Sequence, residues 1–147
     1  MFSDASDPKP QRRPSGGSSV ERPLVLVVDD DLTMRVLVRR MLEDAGYQVT
    51  EAESGRDALI RLRSSTIPHY LVTDLKMADG SGGWLVSQVG YEFPSLLPRT
   101  VVITGDAGGA AAAHVAARWR CPVLAKPITG SALLDALRRV GEASIDR

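Results

Sequence analysis

The sequence predicts an α/β protein, a parallel sheet of five strands covered by helices on both faces. Three observations predict it. Short apolar runs alternate along the chain with segments of helical periodicity, the pattern of repeated β-α units. The runs are continuous, as in LVLVV at 24–28, rather than alternating apolar and polar, which marks strands buried on both faces. Two of the runs stop on aspartates, so polar chemistry is concentrated at strand ends.

The elements follow in order. The run 24–28 ends in Asp29, Asp30 and Asp31, and Asp31 stands where the N-cap of the next helix belongs. Met34, Val38, Met41 and Ala45 then recur at helical spacing, and Gly46 supplies a stop. Residues 48–52 form a short strand. Residues 55–63 form a helix with Ala58, Leu59 and Leu62 inward. A third strand spans 69–73 and again leads into an aspartate, Asp74. A helix spans roughly 83–91, and 94–99 is a connection. VVIT forms the heart of a fourth strand at 100–104. An alanine-rich helix follows at 107–119 and a fifth strand at 122–125. A helix at 131–140, facing inward on Leu133, Leu134 and Leu137, closes the unit. Crossovers between parallel strands are right-handed.

Ahead of this unit, residues 1–23 hold Pro8, Pro10, Pro14, Pro23, Gly16 and Gly17 with few apolar side chains. Such a segment buries too little surface to offset its ordering entropy, and is read as a disordered tail preceding a domain at 24–147. With 147 residues, 44% hydrophobic and 24% charged, the chain is sized for one domain with its own core. Eighteen basic residues balance eighteen acidic ones, which gives no electrostatic bias toward nucleic acid or an anionic membrane. The single cysteine, Cys121, excludes an intrachain disulfide and a cysteine metal cluster. No apolar run reaches membrane-span length, and the N-terminus lacks the apolar core of a secretory signal; a cytoplasmic setting is expected.

In open parallel sheets, ligands bind beyond the carboxyl ends of the strands. The residues there are Asp29 and Asp30, Asp74, Thr104 and Lys126. Three carboxylates in one crevice repel each other, and desolvation worsens the conflict. A divalent cation resolves it, and hard oxygen donors suit Mg²⁺. A lysine and a hydroxyl in the same crevice offer a charge and a donor to a tetrahedral oxyanion. Carboxylate nucleophile, metal, lysine and hydroxyl together make a phosphoryl-transfer site, where positioning and charge neutralisation dominate.

The segments VLVVDDD (25–31), LVTDLKM (71–77), VVITGD (101–106) and LAKPI (124–128) resemble the receiver domains of response regulators in two-component signalling, in order and each at a strand end. The resemblance implies a flavodoxin-like, doubly wound (βα)5 fold with strand order 2-1-3-4-5. It implies that Asp74 accepts the phosphoryl group. Asp30 then binds Mg²⁺ directly and Asp29 directly or through water, with the Lys76 carbonyl completing the protein ligands. Thr104 bonds a phosphoryl oxygen, Gly105 leaves room for it, Lys126 pairs with another, and the Lys126–Pro127 peptide is cis. The implied donor is a sensor histidine kinase or a histidine phosphotransfer protein. The chain itself is no enzyme beyond its own phosphorylation and dephosphorylation. After Lys126 there is room for one helix and a short tail, so output is expected through contact with a downstream protein, or as a phosphate shuttle or sink. DNA is not an expected partner. A monomer and a phosphorylation-dependent dimer both fit, and the VVITGD and PVLAKP segments are similar to receivers of hybrid histidine kinases.

Three features of the sequence bear on the family's pattern. Met77 is followed by Ala78 rather than proline, which with Gly80, Gly82 and Gly83 predicts a mobile loop. Val123 stands where a switch aromatic is common. Lys76 and Asp106 face one another across the mouth of the site, and an ion pair between them would slow water reaching the phosphoryl group. His69, His114 and Cys121 are read as structural or solvent-exposed. Two other readings exist. Asp29-x-Asp31-x-Thr33 with VVITG and Lys126 also resembles haloacid-dehalogenase-type phosphatases, with Asp29 as nucleophile and Asp31 as acid. That reading leaves Asp74 without a task and lacks a further acidic motif after the lysine. The last alternative is a degenerate receiver that serves only as a binding module.

Overall fold

A computed structural model describes residues 22–145; the tail assigned to 1–23 lies almost wholly outside the described residues. Five strands and five helices alternate: β1 (Leu24–Val28), α1 (Leu32–Asp44), β2 (Gln48–Ala52), α2 (Gly55–Ser64), β3 (Tyr70–Asp74), α3 (Gly82–Glu92), β4 (Thr100–Thr104), α4 (Ala110–Trp119), β5 (Val123–Ala125) and α5 (Gly130–Ile145). A single 3₁₀ turn, Leu97–Arg99, leads into β4. All strand pairs are parallel, in the order β2-β1-β3-β4-β5, the doubly wound order expected.

Local chemistry sets the helix ends. Asp31 takes an extended backbone and its carboxylate accepts from the Thr33 N–H at 2.9 Å, so it caps α1 as its position predicts. Ser54 caps α2 through the Asp57 N–H, and Ser81 caps α3 through the Trp84 N–H. Gly46, at φ +98°, turns the chain out of α1. Ala45 is the exposed C-cap of α1 rather than a core residue; Val38 and Leu42 carry the buried stripe. Helix α4 starts at Ala110, later than its alanine run suggests. Residues 105–109 are held in a turn by the Asp106 N–H on Thr104 Oγ1 and the Gly109 N–H on the Asp106 carbonyl.

The core has two sides because successive strand residues point to opposite faces. Val25 and Val27 of β1, Val72 of β3, and Val101 and Ile103 of β4 meet α1 and α5 through Val38, Leu42, Leu133 and Leu137. Leu26, Val28 and Leu71 meet α2 and α3 on the other face through Leu59, Leu62, Leu85 and Val89. Each fully buried aliphatic side chain contributes about 1.5–3 kcal/mol. With both faces covered, the carboxyl edge of the sheet and the loops beyond it remain for chemistry. None of the described helices is long and apolar enough to cross a membrane.

Candidate phosphoryl-acceptor site

Strand register brings the polar residues together. Val28 of β1 pairs with Thr73, Asp74 with Ile103, and Thr104 with Ala125. Asp29, Asp74, Thr104 and Lys126 therefore end four adjacent strands on one edge. Asp74 is the last residue of β3 itself, one later than the apolar pattern suggests. The carboxylates of Asp29, Asp30 and Asp74 present oxygens all within 4.8 Å of one another. Asp29 and Asp74 are buried at 5% and 7% exposure, while Asp30 faces solvent.

Each buried carboxylate uses one oxygen for the backbone. Asp29 Oδ1 accepts from the Asp31 N–H at 2.9 Å, and Asp74 Oδ1 from the Leu75 N–H at 2.9 Å. The remaining oxygens face Lys126, whose Nζ lies 3.6 Å from Asp29 Oδ2 and 3.4 Å from Asp74 Oδ2. One ammonium thus faces two buried anions. Desolvation pushes the Asp29 pKa up, the Asp74 and Asp30 charges add to the rise, and the Asp31 N–H and Lys126 oppose it. A cluster of oxygen donors carrying more negative charge than its lysine can balance fits a hard divalent cation. Thr104 is 1% exposed, and its hydroxyl oxygen accepts from the Asp106 N–H at 3.1 Å. The Lys126 N–H bonds the Thr104 carbonyl at 2.8 Å, and the Lys126–Pro127 peptide is cis, as expected.

The pattern of these residues agrees with known proteins. Residues 25–138 match the sequence profile described as "Response regulator receiver domain". The chain belongs to this receiver family.

Among curated relatives, this receiver domain is 33% identical over 95 residues to the "DNA-binding transcriptional regulator NtrC" of Salmonella typhimurium, covering 65% of this chain and 20% of that protein. It is 30% identical over 119 residues to the "Acid tolerance regulatory protein ActR" of Rhizobium meliloti, covering 80% of this chain and 60% of that one. The chain thus spans only part of the length of these relatives. Among solved structures, the chemotaxis response regulator CheY4 of Vibrio cholerae superposes with a TM-score of 0.71 at 27% identity, covering 81% of this chain and 98% of that one. The signal receiver domain of an HD domain-containing protein from Pseudomonas fluorescens superposes at 0.77, with 23% identity and coverage of 86% and 99%, a likeness of fold.

The departures from the family's pattern take definite form in this receiver. Lys76 Nζ and Asp106 Oδ2 lie 3.5 Å apart, bridging the mouth of the site, and both side chains are more than half exposed. The loop after β3 is docked on the start of α2. The Gly55 N–H bonds the Gly80 carbonyl, the Arg56 N–H bonds that of Asp79, and the Arg56 side chain pairs with Asp79 at 3.0 Å. Of its glycines only Gly80 adopts a positive φ, at +95°; Gly82 is small because the backbone of Asp74 and Leu75 lies against it. A Cβ on Gly105 would meet nothing within 4 Å, so that position is open. Val123 is half-buried against the cluster of Leu75, Val86 and Val102.

Asp31, which the phosphatase reading needs as an acid, is the α1 cap. His69 is built into the framework: its Nδ1 accepts from the Leu24 N–H. His114 is exposed on α4. Cys121 is buried and its thiol is pushed up to about 12, an unreactive side chain. Arg35 stands outside the strand-end pattern that marks the other site residues. Its Nη1 donates to the Asp29 carbonyl at 2.7 Å and its Nε to Glu51 of β2 at 3.0 Å. No local motif announces that contact, because it depends on how α1 lies across β2.

Proposed function

We propose that this receiver domain accepts a phosphoryl group on Asp74 from a histidine kinase or a histidine phosphotransfer protein, using Mg²⁺. The observation that carries this reading is the convergence of Asp29, Asp30 and Asp74 on one point, with the Lys126 ammonium 3.4 Å from Asp74. A carboxylate oxygen of Asp74 attacks phosphorus and forms the O–P bond of an acyl phosphate. The N–P bond of the donor phosphohistidine breaks, and its electron pair returns to the imidazole. Asp29, Asp30 and Asp74, with the Lys76 carbonyl, hold the cation, whose contribution when bound is to neutralise charge on the phosphoryl oxygens. Lys126 pairs with one phosphoryl oxygen and the Thr104 hydroxyl turns to donate to another.

The phosphoryl group adds negative charge at the sheet edge, and Thr104 couples that charge to the loop before α4. Val123 offers no ring to swing, so the response travels through Thr104 and the 105–109 turn. Output then runs through a partner that prefers one of the two states of this surface. The protein acts on no substrate but itself.

Incubation with Mg²⁺ and a small acyl phosphate tests the reading. Wild type is expected to gain one phosphoryl group of intact mass, labile to acid and base. Asp74→Ala is expected to gain none, and excess EDTA to abolish uptake by wild type. Uptake by Asp74→Ala with loss in Asp29→Asn would point to the phosphatase-type site instead.

A further inference from the structure

Asp30 is exposed and makes no hydrogen bond or ion pair among the described residues. Its carboxylate nevertheless converges with those of Asp29 and Asp74. What orients it is therefore the peptide from which it departs. That peptide begins at the Asp29 carbonyl, and the Arg35 guanidinium holds this carbonyl at 2.7 Å. The other edge of the guanidinium is fixed by Glu51 Oε1 at 3.0 Å, and Glu51 Oε2 is held in turn by Arg39. Arg35 is largely shielded, with 15% of its side chain exposed. The Asp29 N–H bonds the Ala52 carbonyl and the Asp29 side chain accepts from the Asp31 N–H, so the turn is held at its first amide and its side chain. Arg35 holds the carbonyl between them.

We infer that Arg35 is a positioning residue for the cation site, fixing the Asp29–Asp30 peptide so that Asp30 points into the carboxylate cluster. The inference rests on the phospho-acceptor reading above and adds to it a residue outside the ligand set. Its charge gives the test a sign. By charge alone a guanidinium beside a divalent cation repels it, so its removal would tighten binding. By positioning, its removal lets the peptide turn, and affinity falls. Loss of outer contacts that orient metal ligands commonly weakens affinity by about 10–100-fold.

The experiment is Mg²⁺ titration by calorimetry on the whole chain, for wild type, Arg35→Gln, Arg35→Lys and Arg39→Gln, with folding checked by thermal unfolding. Arg35→Gln is expected to raise the Mg²⁺ Kd about tenfold. Arg35→Lys keeps the charge but cannot span the Asp29 carbonyl and Glu51 together, so it is expected to weaken binding as well. Arg39→Gln removes an ion pair to the same Glu51 without touching the turn, and its Kd should stay within about twofold of wild type. At saturating Mg²⁺ the phosphorylation rate of Arg35→Gln should return to the wild-type value. A folded Arg35→Gln whose Kd is unchanged or lower overturns the inference. So does full rescue by lysine. Absence of Mg²⁺ binding by wild type itself would instead overturn the underlying phospho-acceptor reading.

Discussion

Asp29 is the side chain that works against the fold. Burial raises its pKa first, and the charge of Asp74 raises it further. An acid whose folded pKa lies above its unfolded value favours folding at low pH, and that contribution is lost as pH rises through the folded pKa. At pH 7 without a divalent cation, Asp29→Asn should therefore raise the melting temperature, and the gain should shrink toward pH 4. Mg²⁺ should stabilise wild type more than the variant; thermal unfolding with and without the ion measures both. The Lys76–Asp106 pair acts on the outside of the same site. Exposed pairs contribute about 0.2–1 kcal/mol, so Lys76→Ala should shorten the phosphoryl lifetime by no more than about fivefold. A lifetime unchanged from wild type would leave the pair without a gating role. At this scale, the residues legible in the sequence were those whose position in the strand-end pattern is itself the signal. Asp74, Thr104 and Lys126 qualify, and Asp31 was separated from its neighbours by the grammar of helix capping. Arg35 was not legible, since a bond to a main-chain carbonyl leaves no trace in residue type.

Among the elements, the loop from β3 into α3 shows how packing overrides composition. Its glycines suggest freedom, yet Gly82 serves close approach. The Gly82 N–H bonds the Leu75 carbonyl, and a Cβ on Gly82 would overlap the Asp74 carbonyl. Gly83, the next residue, would place a Cβ in ordinary contact, 3.9 Å from Leu75, Ser81 and Val115. Gly82→Ala should therefore destabilise by about 1–3 kcal/mol and displace the carboxyl end of β3. Gly83→Ala should be neutral or stabilise by up to about 1 kcal/mol, since alanine is the better helix former. Urea unfolding of the two variants separates the readings, and equal effects would refute the close-approach account. The start of α4 teaches the same lesson. Alanines from 107 onward favour helix, but bonds from the 105–109 turn back to Thr104 and Asp106 hold the first of them outside it.

For the molecule as a whole, the five-residue run LVLVV carried the fold, because only a strand covered on both sides can be apolar at every position. Its alternate residues do enter two separate cores, Val25 and Val27 in one and Leu26 and Val28 in the other. The edge strand β2 shows the contrast, with Gln48 and Thr50 exposed on either side of buried Val49. Which helix packs on which face follows from the strand order and right-handed crossovers rather than from any one helix's sequence. The separation of the cores has a thermodynamic consequence. Leu42 of α1 and Leu85 of α3 are both fully buried, on opposite sides of the sheet and in different clusters. Each leucine-to-alanine change should destabilise by about 2–5 kcal/mol. With no shared partner, the two should add to within about 0.5 kcal/mol. Their sum is comparable to the about 5–15 kcal/mol stability of a typical domain. The double variant should therefore be partly or wholly unfolded at 25 °C, while each single variant stays folded with a lower urea midpoint. A double variant more than about 1 kcal/mol more stable than the sum would mean that the sheet passes strain from one core to the other. The two faces would then be one cooperative unit in packing as well as in folding.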